Sequence, residues 1–294
     1  MPLSALVLVL LAAVLHAVWN IVAKRAGGDQ RFVLITSLLT SVLWLPAGLW
    51  FGWHAVPLWG WAEWGLVTLS AAVHLLYFNT LLTGYRKADL TVVYPLARGS
   101  APLLTAAAAV ILLGETLGAA GVAAVCGGVF LIAGGPALWR PAHSSEHSAA
   151  QHERTSAGVR WGLLTGATIA AYSVIDAYAI KVFLIGPVIF DYASNLLRVP
   201  MQLPMLLRGR ATLRDAWRQQ WRAALVVSTL GPLAYILVLT ALTLAPLSHV
   251  APARELSLLV AALLGGRLLG ESDRGLRLLG AACIAGGVMA LAWG

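Results

Sequence analysis

Apolar residues in this chain gather into long unbroken runs. They show neither the alternation of a half-buried strand nor the narrow stripe of a surface helix. Runs of roughly 18 or more mostly apolar residues have the length at which a helix crosses about 30 Å of hydrocarbon. Spans are therefore expected at about 3–23, 32–51, 65–84, 90–113 and 117–138, and again at about 158–182, 187–207, 223–244, 247–269 and 275–293. The long polar stretch between the two sets carries His143, His147 and His152 among Ser, Glu and Ala. The expected organisation is a first five-helix repeat over 1–139, a polar His-rich linker over 140–157 and a second five-helix repeat over 158–294. Trp53, Trp59, Trp61 and Trp64 lie between the second and third runs, where an aromatic belt would meet a membrane interface.

A second regularity supports the halving. Arg98 follows Pro95 inside one apolar run and Arg254 follows Pro252 inside another, 156 positions later. The runs end in Leu112-Leu113-Gly114-Glu115 and Leu268-Leu269-Gly270-Glu271, again 156 positions apart. The same offset carries His16 and Asn20 onto Tyr172 and Asp176, both pairs spaced i, i+4 on one helix face. Because each half has an odd number of spans, the second enters the membrane in the opposite sense to the first. The expected class is an all-α integral membrane protein of ten transmembrane helices in two inverted repeats.

Composition narrows the class. Hydrophobic residues make up 60% and charged residues 11% of the 294, and mean hydropathy is +0.82, far from the roughly 25% charge of soluble domains. The net charge of +8 calls for no nucleic acid. With Arg98, Lys181, Arg198 and Arg254 excepted, every lysine and arginine falls in the loops after spans one, three, five, seven and nine or at the helix ends that flank them. Those loops are expected on the cytoplasmic side and both termini outside. Met1 to Ile21 is apolar like a secretory signal, but it lacks a basic start and carries His16, Trp19 and Asn20, so it reads as a retained first span. Cys126 and Cys283 lie singly in apolar runs and read as packing residues. The His-rich linker defines no ligand geometry, and neither a metal nor a cofactor is expected.

The informative residues are polar ones inside spans, since a charge at a helix centre costs about 2.5–3.5 kcal/mol on insertion scales. Arg98 is the candidate for recognising an anionic group, and Arg254 its counterpart. His16, Trp19, Asn20, Tyr77, Tyr94, Tyr172 and Tyr235 are candidate cavity-wall residues, each with ordinary core packing as the alternative. Asp176 and Glu255 are candidate proton-coupling carboxylates. Asp191, Asn195 and Arg198 form one stripe at i, i+4, i+7, which either lines a pathway or closes its own charge. Glu115 and Glu271 suit helix capping.

The twofold five-span plan, the Gly-Glu ending spans four and nine, and the glycine-rich fifth and tenth spans with Gly128-Val129-Phe130-Leu131 and Gly287-Val288-Met289-Ala290-Leu291 resemble the EamA branch of the drug/metabolite transporter superfamily. The resemblance implies an inner-membrane secondary carrier, often an exporter of amino acids or other small metabolites, working by alternating access and frequently proton-coupled. Arg98 and Arg254 stand out against that pattern and point to an anionic group on the substrate. The expected partners are a small molecule, the lipid bilayer and a proton as coupling ion. Uniport or exchange of an anionic metabolite and a non-transporting receptor or assembly subunit are the alternatives. An enzyme is not expected, since neither Gly-x-Ser-x-Gly nor His-Glu-x-x-His occurs.

Overall fold

The structure is a computed structural model that describes residues 2–88, 90–113, 145–202 and 210–254, and the single positions 123, 257, 279, 282, 283 and 286. Every regular element among them is helical: α1 (Leu3–Arg25), α2 (Gln30–Leu43), α3 (Leu45–Gly52), a 3-10 turn (Val56–Leu58), α4 (Trp61–Lys87), α5 (Leu90–Leu113), α6 (Ser145–Lys181), α7 (Pro187–Met201), α8 (Arg210–Leu244) and α9 (Leu247–Arg254). Four helical segments are long and apolar enough to cross a membrane, Leu3–Arg25, Trp61–Lys87, Ser156–Lys181 and Leu213–Leu244, and α2 with α3 makes a fifth if that bent pair is one span. The expected fifth and tenth spans, most of the ninth, and Glu115, Cys126 and Glu271 lie outside the described residues.

Two boundaries differ from expectation. Residues 145–157, expected as linker, are the first turns of α6; the segment is polar but has neither proline nor glycine before Gly158, and Ala, Glu, Gln and Arg favour helix. For the same reason α8 begins at Arg210, well before the apolar run at 223. At 35 residues it is about 52 Å long, more than the hydrocarbon requires.

The chain packs as two compact units. The first comprises Met1–Asn79 and Tyr172–Ala245, the second Thr80–Ala171 and Pro246–Gly294, so each draws on both sequence halves. In the first unit α8 packs along α1 and α2, while α7 packs on α2, α3 and α8. Half of the residues α1 buries are alanine, including Ala5, Ala12, Ala13 and Ala17, which lets backbones approach closely. Its opposite face exposes Leu3, Val7, Leu10, Leu11 and Val14, as a lipid-facing surface would. Gly27, at φ +59°, ends α1 in the left-handed conformation that glycine adopts without strain.

Prolines set the irregularities of this unit. Pro46 stands at the start of α3, and α2 and α3 meet at Trp44 with a bend of 55°. Pro232 lies inside α8 and has no N–H to give the carbonyl of Ser228, four residues back. Trp44 Nε1 donates to that carbonyl at 3.1 Å and Thr40 Oγ1 at 3.5 Å. Ser228 Oγ in turn donates to Thr36 O at 3.1 Å. The bend between α2 and α3 is thus fastened to the carbonyl that Pro232 leaves open in α8.

In the second unit α6 presents Gly158, Gly162 and Gly166 at i, i+4, i+8 to Val92, Leu96 and Ser100 of α5. A Cβ on Gly162 would stand 2.7 Å from Leu96 Cβ, so only glycine allows this crossing. Gly162→Val is therefore expected to destabilise the protein by about 1–3 kcal/mol, read as a lower unfolding temperature in detergent; an unchanged temperature would refute the close crossing.

Asp29 caps α2, accepting from Arg31 N at 2.9 Å and Phe32 N at 3.3 Å and, on Oδ2, from Arg31 Nε at 2.7 Å. Partial burial works to raise its carboxyl, but the Arg31 side chain and the two backbone donors prevail and hold it below the ordinary 3.8. A depressed carboxylate contributes stability that is complete above the unfolded value and lost as pH falls through the lower folded one. Asp29→Ala should cost about 0.5–2 kcal/mol near neutral pH and flatten this part of the acid limb, as thermal unfolding across the acid range would show.

Candidate functional site

The first unit encloses a cavity of about 90 Å³, room for roughly six to nine waters or a compact ligand with a similar number of non-hydrogen atoms. Five helices surround it with polar and aromatic side chains, and α6 adds Tyr172. Thr36, Ser37 and Thr40 bring three hydroxyl groups from α2. Thr36 and Ser37 Oγ return their protons to the Val33 carbonyl at 2.8 and 2.9 Å, so their oxygens remain as acceptors. Gly231 and Pro232 line it from α8, where the helix lacks one backbone hydrogen bond.

From α1, His16 and Trp19 reach the cavity. Trp19 Nε1, which can only donate, stands 2.9 Å from His16 Nδ1. That nitrogen is therefore an acceptor, and in the neutral ring the proton sits on Nε2. Asn20 donates to the His16 carbonyl at 2.7 Å, so its amide braces the helix one turn back.

The charged wall belongs to α7, where Asp191, Asn195 and Arg198 share one face. Asn195 is held at both ends: Nδ2 donates to Asp191 Oδ2 at 3.0 Å and to Asp191 O at 2.9 Å, and Oδ1 accepts from Arg198 Nη1 at 3.1 Å. Asp191 and Arg198 make no direct ion pair, and an amide joins them. Arg198 Nη2 reaches Ser194 Oγ at 3.5 Å, while Nε, shielded from solvent, has no acceptor among the described residues. Gln202 extends the network, donating to Arg198 O and Ser37 Oγ at 3.0 Å each. A cavity-lining guanidinium with a spare donor can take an acceptor oxygen from a ligand.

The aromatic wall joins α4, α6 and α8. His74 stacks on Tyr172 at 4.0 Å and 25°, and Tyr235 meets the imidazole nearly edge-on at 5.1 Å. Tyr77 packs on Tyr172 at 5.3 Å, and Phe78 meets Trp19 edge-on at 6.0 Å. Behind these rings lies Asp176, fully buried, with the Tyr235 hydroxyl donating to its Oδ2 and His74 Nε2 3.7 Å from the same oxygen.

Of the residues singled out in the sequence, His16, Trp19, Tyr77, Tyr172 and Tyr235 meet at this one cavity. Asn20 and Asp176 lie buried next to lining residues. Arg98 and Arg254 are also buried, but in the second unit, on α5 and α9, which pack together; the described lining includes neither. The Tyr94 side chain and Glu255 lie outside the described residues. The α2 hydroxyls were not anticipated, although Thr36-Ser37 and Thr40-Ser41 interrupt an apolar run at a one-turn interval.

No protein-family model and no curated protein matches this chain. Among solved structures, one described only as "Crystal structure of protein" is similar over 99% of this chain and 96% of its own, with 16% sequence identity and a TM-score of 0.66. That likeness is one of fold.

The amide bridge makes a prediction. Asn195→Ala removes the partner of both Asp191 Oδ2 and Arg198 Nη1, and a buried polar group left unmatched costs about 1–3 kcal/mol. Unfolding in detergent should show a loss of that size, and Asp191→Asn with Arg198→Gln in the same chain should recover part of it. A neutral Asn195→Ala would mean the bridge holds nothing.

Proposed function

We propose that the protein is a secondary carrier moving a small polar metabolite, such as an amino acid or an organic anion, across the bacterial-type inner membrane by alternating access. The observation that carries this reading is a hydrated-size cavity lined by Asp191, Arg198 and two histidines, in a unit built from helices long and apolar enough to cross a bilayer. Each such charge costs about 2.5–3.5 kcal/mol to insert, a cost that packing alone does not explain. The resemblance of the repeated sequence marks to the EamA branch of the drug/metabolite transporter superfamily supports the same reading. With it come ten helices in two inverted repeats and both termini outside, and midplane sites in inverted-repeat carriers fit a cavity of this kind.

Within this reading Arg198 recognises the anionic group of the substrate, since it lines a space sized for a ligand and keeps one donor uncommitted among the described residues. Arg98 remains a second cationic candidate, in the other unit. His16 offers Nε2–H, and the α2 hydroxyls offer acceptors. Asp176 couples the cycle to protons.

The reading is tested with purified protein in proteoliposomes, following counterflow of a panel of radiolabelled small carboxylates and zwitterions. Arg198→Gln should lower flux of the transported compound about 10- to 100-fold, as loss of a charge-assisted hydrogen bond of about 1.5–3 kcal/mol implies, with the protein still folded by circular dichroism. Wild-type flux in that variant would remove Arg198 from the site. An imposed pH gradient should accelerate counter-transport; indifference to it would favour uniport or exchange.

A further inference from the structure

His74 faces an acceptor at each of its ring nitrogens, hydrogen-bonded at one and within ion-pair distance at the other. Its Nδ1 lies 3.0 Å from the backbone carbonyl oxygen of Ser70, one turn back on α4. Its Nε2 lies 3.7 Å from Asp176 Oδ2 on α6. A carbonyl oxygen and a carboxylate oxygen accept and do not donate. A neutral imidazole has one N–H. Placed on Nδ1, it serves Ser70 and turns the Nε2 lone pair on the carboxylate; placed on Nε2, it serves Asp176 and sets a lone pair against the carbonyl. The Ser70 hydroxyl, 3.2 Å from Nδ1, accommodates either state and does not decide between them. The doubly protonated ring alone donates at both ends. Its positive charge lies beside a carboxylate, and the Tyr172 ring stacks on its face at 4.0 Å, an arrangement that favours a cation.

We propose that His74 is a proton-binding residue of this protein, holding one exchangeable proton on Nε2 between the imidazole and Asp176, with Asp176 and Tyr235 as positioning residues. Loading adds one proton to the Nε2 lone pair, forming one N–H bond and breaking none within the protein; unloading returns it. The groups facing the pair are Tyr172 on α6, Tyr235 on α8, Tyr77 on α4 itself, and, around the cavity, His16 on α1 with Asp191 and Arg198 on α7. In the loaded state the His74 charge offsets that of Asp176, and unloading leaves the carboxylate without it in a low-dielectric setting.

The same geometry connects the proton to the cavity. Tyr235 lines the cavity and donates to Asp176, while Tyr172 lines it and covers His74. A ligand that draws the Tyr235 hydroxyl to itself takes a donor from Asp176 and strengthens the hold of the carboxylate on the His74 proton. This link alone rests on the carrier reading; the proton site does not.

The test is a pH titration of full-length protein labelled with ¹⁵N-histidine in lipid nanodiscs, with the His74 signals identified by their absence in His74→Gln. Nδ1 should stay protonated while Nε2 titrates. Asp176→Asn, which keeps the shape, should lower the midpoint by at least about one pH unit, because the opposite charge is gone. Tyr235→Phe should raise it, since the carboxylate loses a competing donor. A ring fixed in one neutral tautomer across about pH 5 to 9, or midpoints unmoved in both variants, would overturn the proposal. If His74 titrates as described while flux is indifferent to pH, proton coupling of the carrier fails and the site stands. If flux depends on pH while His74 stays fixed, the site fails and the carrier reading stands.

Discussion

Polar groups set among apolar helices have no water to turn to, so each must find its partner inside the protein. That requirement organises the first unit. Pro232 cannot supply the hydrogen bond that its helix owes to Ser228, and the debt is met from α2–α3 by Trp44 and Thr40. The carbonyl then serves as a fixed anchor for the neighbouring helix, and Ser228 Oγ adds a second tie at Thr36. Two helix breaks that would each be weak alone become one joint. Gly231 and Pro232, at that joint, also line the cavity. The cavity therefore opens where the backbone was already excused from regular helix.

Asp191, Asn195 and Arg198 obey the same requirement differently. A direct ion pair would be the shortest way to satisfy both charges, yet buried pairs recover their desolvation cost only with good geometry and full hydrogen bonding. Here an amide stands between them, fixed by the Asp191 backbone as well as its side chain. The separation keeps the guanidinium and carboxylate distinct along α7 and leaves Arg198 Nε uncommitted. A closed pair would present a ligand with a neutral unit; this arrangement presents two poles.

Much of this fold can be read from apolar run length alone. The run at 90–113 coincides with α5, and that at 3–23 falls two residues short of the end of α1. The bend at Trp44, just before Pro46, divides a run expected as one span over 32–51. Polar helix, by contrast, was illegible at 145–157 and 210–222, because run length tests for membrane and not for helix, and Ala, Gln, Glu and Arg form helices in either setting. For the site, the 156-residue echo of His16 and Asn20 in Tyr172 and Asp176 pointed to residues that gather at one cavity or against its wall. Spacing could not say that Asn20 would turn onto its own helix or that His74 would stand against Asp176. Those outcomes depend on which helices pack together. Nor could it weigh Arg198 against Arg98: both sit in apolar runs, and only packing assigns them to different units.

The two cavity histidines show how far partner chemistry decides function. His16 is given a donor by Trp19, so one nitrogen is committed as an acceptor and the neutral ring has a fixed tautomer. His74 faces an acceptor at each nitrogen, so only the charged ring donates toward both. The residue type and the apolar surroundings are the same; the neighbours differ in whether they give or take a proton. A histidine whose neighbour gives a proton has its neutral tautomer fixed, and one whose neighbours take protons at both nitrogens can store a proton. The second also shares Tyr172 and Tyr235 with the cavity wall, so what fills the cavity and what fills the proton site act on the same two rings.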